Sequence, residues 1–153
     1  MRGTKNLADN EQGLGELRRL VTGAVRAPEE DEPSGASEME INALEARLKQ
    51  DLPRRLRLWL SVCRGAGIGP GGVFGHRPDQ RFLDMPSVLA MFPQWRELGW
   101  LPVAGDGCGN YYVLTRTGSV GFVDTIKNPG QLDRQADSDL LSFMAGLLRA
   151  DQH

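Results

Sequence analysis

The chain has 153 residues, 40% of them hydrophobic, and a formal net charge of −2 at pH 7. That length usually makes one domain around one core, and the composition is that of an ordinary globular fold. Residues 1–37 hold five Lys or Arg against seven Asp or Glu, and residues 38–153 hold thirteen of each. Such a balance lacks the concentrated basic surface that direct nucleic acid binding uses.

The opening MRGTKNLADNEQGLG has no apolar segment of the signal-peptide kind, and no stretch approaches the roughly 20 apolar residues needed to cross a bilayer. Cys63 and Cys108 are the only cysteines. Two thiols in no metal-ligand spacing lead to the expectation of reduced cysteines, a cytoplasmic location, no membrane, no metal and no cofactor.

In chain order, Leu14, Leu17, Val21 and Val25 recur at helical spacing, which predicts a short amphipathic helix in an N-terminal extension, residues 1–25. It can dock on the body, bind a partner or stay marginal, because isolated helices this short are weak in water. Residues 26–36, RAPEEDEPSGA, set four consecutive acids between prolines and read as a linker. The domain proper is 37–153. Ser37 with Glu40 three positions later is a capping-box pattern, so a helix starts there with Ile41, Leu44 and Leu48 on its apolar face.

Leu52-Pro53 restarts the chain as a second helix whose buried stripe is Leu56, Trp59, Leu60 and Cys63. Arg54, Arg55, Arg57 and Arg64 crowd its other sides, as a solvated face or a contact for an acidic partner. Gly67, Gly69 and Gly72 satisfy G-x-G-x-x-G, but they follow a helix rather than a strand and Pro70 interrupts them, so a flexible loop leading into a short strand near Val73 to Gly75 is expected instead. Phe82 to Met85 reads as another short strand or an extended segment. Pro86 then opens a helix running through Phe92, and Pro93 interrupts it before Trp95.

The most informative stretch is residues 99–123, GWLPVAGDGCGNYYVLTRTGSVGFV. Its β-branched and aromatic runs predict strands at Leu101–Ala104, Asn110–Thr115 and Ser119–Asp124. The Asp and Gly cluster DGCGN and the Gly of RTGS supply the reversals between them. A last helix follows, capped by Asp137 or Ser138, with Leu140, Leu141, Phe143, Met144, Leu147 and Leu148 on a broad apolar face that should pack on the sheet.

Catalytic constellations are scarce. The only histidines are His76, in the glycine-rich loop, and His153, so neither a histidine triad nor a two-histidine metal site has material. Asp106 and Asn110 lack the further acids of a calcium loop and read as turn formers. Cys63 lies on an apolar stripe and reads as a buried, inert thiol. No enzymatic activity is expected.

Taken together, Ile41, Leu44 and Glu45 of the first helix, Leu52-Pro53 leading to Trp59-Leu60, and the order Leu101 to Ala104, DGCGN, Tyr111, then Gly118 to Val123, resemble the SUKH superfamily over residues 37–149. That superfamily includes a fungal cell-wall-synthesis regulator and many bacterial immunity proteins. This chain departs from it at Arg64-Gly65-Ala66, where many members carry Asn-Gly-Gly. The resemblance implies an α+β domain with a mixed or mainly antiparallel sheet of about four to six short strands and three to four helices packed against it.

It also implies a non-enzymatic binding module, in bacteria one that neutralises a cognate protein toxin domain of a polymorphic or contact-dependent system. A different class of function is a regulatory adaptor whose N-terminal helix and acidic linker recruit proteins; an undiscovered enzyme ranks last. Candidate partner-binding residues are Arg77, Asp79, Arg81, Trp95, Trp100, Asp106 and Asn110, chosen because they lie in or beside loops at strand ends. Trp100, just ahead of a buried strand, is equally a core candidate. Asp133, Asp137 and Asp139 offer a local acidic patch. Neither the toxin nor the oligomeric state can be read from the sequence.

Overall fold

A computed structural model describes residues 11–28 and 30–151. The fold is α+β: the described residues form one antiparallel sheet in the order β1-β2-β3-β4 with six α-helices around it. The helices are α1 (Glu11–Thr22), α2 (Glu38–Leu48), α3 (Arg54–Val62), α4 (Met85–Ala90), α5 (Pro93–Leu98) and α6 (Leu140–Asp151). The strands are β1 (Leu101–Gly105), β2 (Tyr111–Leu114), β3 (Val120–Val123) and β4 (Arg134–Asp137).

The capping box forms as the sequence predicts: Glu40 N donates to Ser37 Oγ at 3.1 Å and Ser37 N donates to Glu40 Oε1 at 2.9 Å. Two otherwise unpaired helix-end donors are thereby satisfied. The α3 stripe of Leu56, Trp59, Leu60 and Cys63 is fully buried. The arginines on its other sides are engaged within the molecule, Arg57 with Glu45 at 2.9 Å, Arg64 with Glu40 at 3.3 Å and Arg55 with Asp139 at 2.9 Å. Leu17, Leu20 and Val21 of α1, with Ala24 just beyond it, join the same core, and Glu16 and Arg149 pair α1 with α6 at 3.7 Å. Between α1 and α2 the acidic segment lies along the body: Ala36 N donates to Leu60 O at 2.7 Å and Arg64 N to Ser34 O at 2.9 Å.

The β1–β2 register shifts between Pro102 and Ala104, and β2 pairs regularly with β3, with Tyr111, Tyr112, Val113 and Leu114 opposite Val123, Phe122, Gly121 and Val120. Tyr111 packs on Phe74, Phe92 and Trp95 while Tyr112 packs on Phe122 and Phe143. Alternation thus sends the two tyrosines to opposite faces, and β2 is covered on both.

Several local expectations are corrected. No strand forms at Val73 to Gly75; Val73 makes isolated bridges to Ala66 and Ala104, because tight glycine turns leave too little extended chain for a ladder. Phe82 to Met85 is not a strand: Arg81–Leu83 is a 3₁₀ turn and Met85 opens α4. Pro93 does not merely interrupt a helix but starts α5, the first-turn role in which its missing N–H costs nothing. The last helix is capped by Asp139 rather than Asp137 or Ser138, with Ser142 N donating to Asp139 Oδ2 at 2.9 Å. Strand β4 carries no hydrophobic run, so its RQAD sequence gives no strand signal of its own; pairing with β3 imposes it.

Candidate functional site

A groove of about 780 Å³ opens where the glycine loop, the turn before α4 and the β1–β2 turn meet. Phe74, Val88 and Tyr111 give it an apolar interior, and Asp79, Arg81, Phe82 and Met91 lie along it. Its glycine wall has a packing reason. A Cβ on Gly71 would collide with backbone of Gly105 and Gly107, so the loop lies flush on the β1–β2 turn only with hydrogen there.

Large apolar side chains cluster at this end of the molecule. Phe82 is 83% exposed and Met91 56%. Ile126, 90% exposed, follows Thr125, whose N donates to Asn110 Oδ1 at 3.0 Å and whose hydroxyl donates to Gly109 O at 2.8 Å. The β3–β4 loop is therefore fastened to the turn that borders the groove.

The expected site residues separate into three groups. Asp79, Arg81 and Asn110 come together along the groove. Asp106 lies behind it and is occupied: its carboxylate accepts from Cys108 N at 2.7 Å, Asn110 N at 3.0 Å and Asn110 Nδ2 at 3.1 Å. Burial alone would raise its pKa, but these donors outweigh burial and hold it below the usual carboxylate range. Arg77, Trp95 and Trp100 are buried, at 4%, 0% and 9% exposure, so none of them offers an exposed side chain in this conformation. Trp95 stacks on Phe92 with centroids 4.1 Å apart and donates to Pro129 O.

The acidic patch does not assemble either. Asp133 pairs with Lys127 at 3.1 Å, while Asp139 is buried against Arg55.

Sequence reasoning missed Phe82, Met91, Ile126 and the buried carboxylate Asp84. Phe82 had a usable signal, since an aromatic among Asp79, Gln80 and Arg81 has no apolar neighbour to make a strand face. Asp84, fully buried, accepts both arms of Arg47, at 2.8 and 2.6 Å, with Arg77 N at 3.0 Å and Ser87 Oγ at 2.7 Å. Burial opposes its ionisation, but the Arg47 and Ser87 bonds and the Arg77 amide prevail and hold its pKa low. This network fixes the segment that carries Asp79 to Phe82.

Nucleophile chemistry finds little support in this geometry. Burial pushes the Cys63 thiol up to about 11, against the low pKa that reactive thiols have. His76 meets Arg47 Nη1 at 3.3 Å, and burial followed by that cation lowers its pKa. Among the described residues no cluster of His, Cys, Asp and Glu can hold a metal ion, and no helix is long and apolar enough to cross a membrane. The arrangement suits recognition of a surface.

A model of the SMI1 / KNR4 family (SUKH-1) matches residues 35–138, from just before α2 to the end of β4. The chain belongs to this family. SUKH-1 is generally a family of non-enzymatic immunity and regulatory proteins, toxin immunity proteins among them. No curated protein matches the chain.

Proposed function

We propose that this SUKH-1 protein is a bacterial immunity protein that binds and neutralises a cognate toxin domain of a polymorphic or contact-dependent system, acting without catalysis in the cytoplasm. The observation that carries the reading is the exposed pair Phe82 and Met91 along an apolar groove edged by Asp79 and Arg81. Protein interfaces typically bury about 1,600 Å² and draw most of their affinity from a few aromatic or Arg anchors inside a polar rim. Phe82 is the anchor in this reading, and Asp79, Arg81 and Asn110 set orientation. The adaptor alternative has less support, because the apolar face of α1 lies in the core and is not offered to another protein.

The test is coexpression with the toxin domain encoded next to the gene. Rescue of growth by the wild-type chain and loss of rescue with Phe82→Asp, the variant still folding, is the expected result. Failure of the wild-type chain to rescue or to bind any adjacent toxin domain overturns the reading.

A further inference from the structure

Arg77 is a buried cation that the fold leaves partly unsatisfied. Its Nη1 donates to Gly65 O at 2.7 Å, yet Nε and Nη2 are sealed from solvent with no hydrogen-bond partner among the described residues. The carboxylates that approach are Asp31 Oδ2, 3.8 Å from Nη2, and Asp79 Oδ1, 3.8 Å from Nε, on side chains 71% and 70% exposed. Charge-assisted N–H to carboxylate bonds close at about 2.7–2.9 Å, so both acids stop roughly 1 Å short of one. A buried donor without an acceptor is destabilising, and more so when charged. This guanidinium therefore favours any carboxylate that fits it better.

The segment that delivers Asp31 is itself an extended acidic peptide. It lies on the α3 C terminus and the glycine loop through Ala36 N to Leu60 O and Arg64 N to Ser34 O. The Glu30 carboxylate rests against Gly67, where a Cβ would come within 2.7 Å of Oε1. Glu30 to Ser34 precede the family match, which begins at residue 35. The domain thus builds a surface that takes an acidic strand, and a segment outside the matched region occupies it.

We propose that the surface formed by the α3 C terminus, the glycine loop and Arg77 is a docking site for an extended acidic peptide of a partner protein. Residues 30–36 act as a strap that fills it in cis. A tethered occupant competes at an effective concentration of order mM, so the partner displaces it by placing a carboxylate within bonding distance of Arg77, whose planar fork accommodates two oxygens. This site adjoins the apolar groove, which Asp79 also lines, and stands whether or not the partner is a toxin.

The experiment uses the full chain and a labelled synthetic peptide with the sequence of residues 28–36. Neutralising the strap with Glu30→Gln, Asp31→Asn and Glu32→Gln is expected to tighten peptide binding at least tenfold over wild type. The same substitutions within the peptide are expected to abolish binding. Arg77→Lys, added to the strap-neutralised chain, is expected to return affinity to the wild-type level or below, with circular dichroism confirming the fold. Should that variant not fold, the acidic and neutral peptides decide the matter by themselves. Equal affinity for wild-type and strap-neutralised chains, equal binding of both peptides, or no binding at all overturns the proposal. Toxin rescue is read separately, so neither result stands in for the other.

Discussion

Two acid-bearing loops border the same groove, and they treat their polar groups in opposite ways. In the β1–β2 turn, Asp106 is saturated by three donors and Asn110 Oδ1 holds the next loop through Thr125. Between the glycine loop and α4, Asp79 has only a 3.8 Å approach to Arg77, Arg81 makes no ion pair among the described residues, and Phe82 stands in solvent. Both loops carry aspartates. What separates them is whether the chain supplies partners for its own side chains. Saturated groups hold the architecture, and unsatisfied groups beside an apolar groove are available for recognition.

The contrast is tested most severely at Asp84, the saturated group beneath the loop that carries Asp79 to Phe82. Asp84→Ala removes the buried member of a pair whose Arg47 side chain is 33% exposed, and leaves Ser87 and the Arg77 amide without their acceptor. A loss of about 2–3 kcal/mol in unfolding free energy is expected, measured by urea denaturation. A loss under about 1 kcal/mol, the level of an exposed pair, would mean that the network contributes no more than surface charges do. Phe82→Asp is the counterpart on the unsatisfied side. It should leave stability within about 0.5 kcal/mol yet weaken toxin-domain binding by about 2 kcal/mol, roughly 30-fold in Kd, read by calorimetry.

Much of this division was legible in the sequence, and the limits have physical causes. The capping box, the α3 stripe and the first three strands follow from local signals: a Ser and Glu three apart, apolar residues at helical spacing, and β-branched runs between glycines. Strand β4 was not legible, because RQAD becomes a strand only through β3. Asp79, Arg81 and Asn110, chosen because loops at strand ends present side chains, do line the groove. The same reasoning put Arg77 and Trp95 at the surface, where they are not, while Trp100 lies in the core that was its stated alternative. Loop membership does not reveal depth, and Arg77 lies two residues from Asp79 yet is 4% exposed. Nor can sequence spacing reveal that Arg47, 37 residues away, closes on Asp84.

The saturated acids also set a pH dependence. Asp84 and Asp106 both have folded pKa values below the ordinary carboxylate range. Their stabilisation is therefore complete above the unfolded value, about 3.9, and is lost as pH falls through the folded values. Unfolding free energy should fall below about pH 4. Asp106→Asn should lower neutral-pH stability by about 1–2 kcal/mol and flatten part of that acid limb. An unchanged limb in the variant would mean that the turn's hydrogen bonds do not distinguish folded from unfolded chain.

The smallest effect belongs to Arg81. As an exposed rim charge with no ion pair among the described residues, it contributes little to the fold, so Arg81→Glu should leave stability within about 0.5 kcal/mol. Rim charges act mainly on encounter: they steer association through a field that salt screens within about 8–10 Å. Reversing this charge should therefore change the association rate with a toxin domain several-fold at low salt, with the difference shrinking as ionic strength rises and dissociation nearly unaffected. Stopped-flow measurements over a salt series separate the possibilities. A salt-independent change confined to dissociation would make Arg81 a desolvated contact at the centre of the interface. The recognition surface would then centre on the turn before α4 rather than on the mouth of the groove.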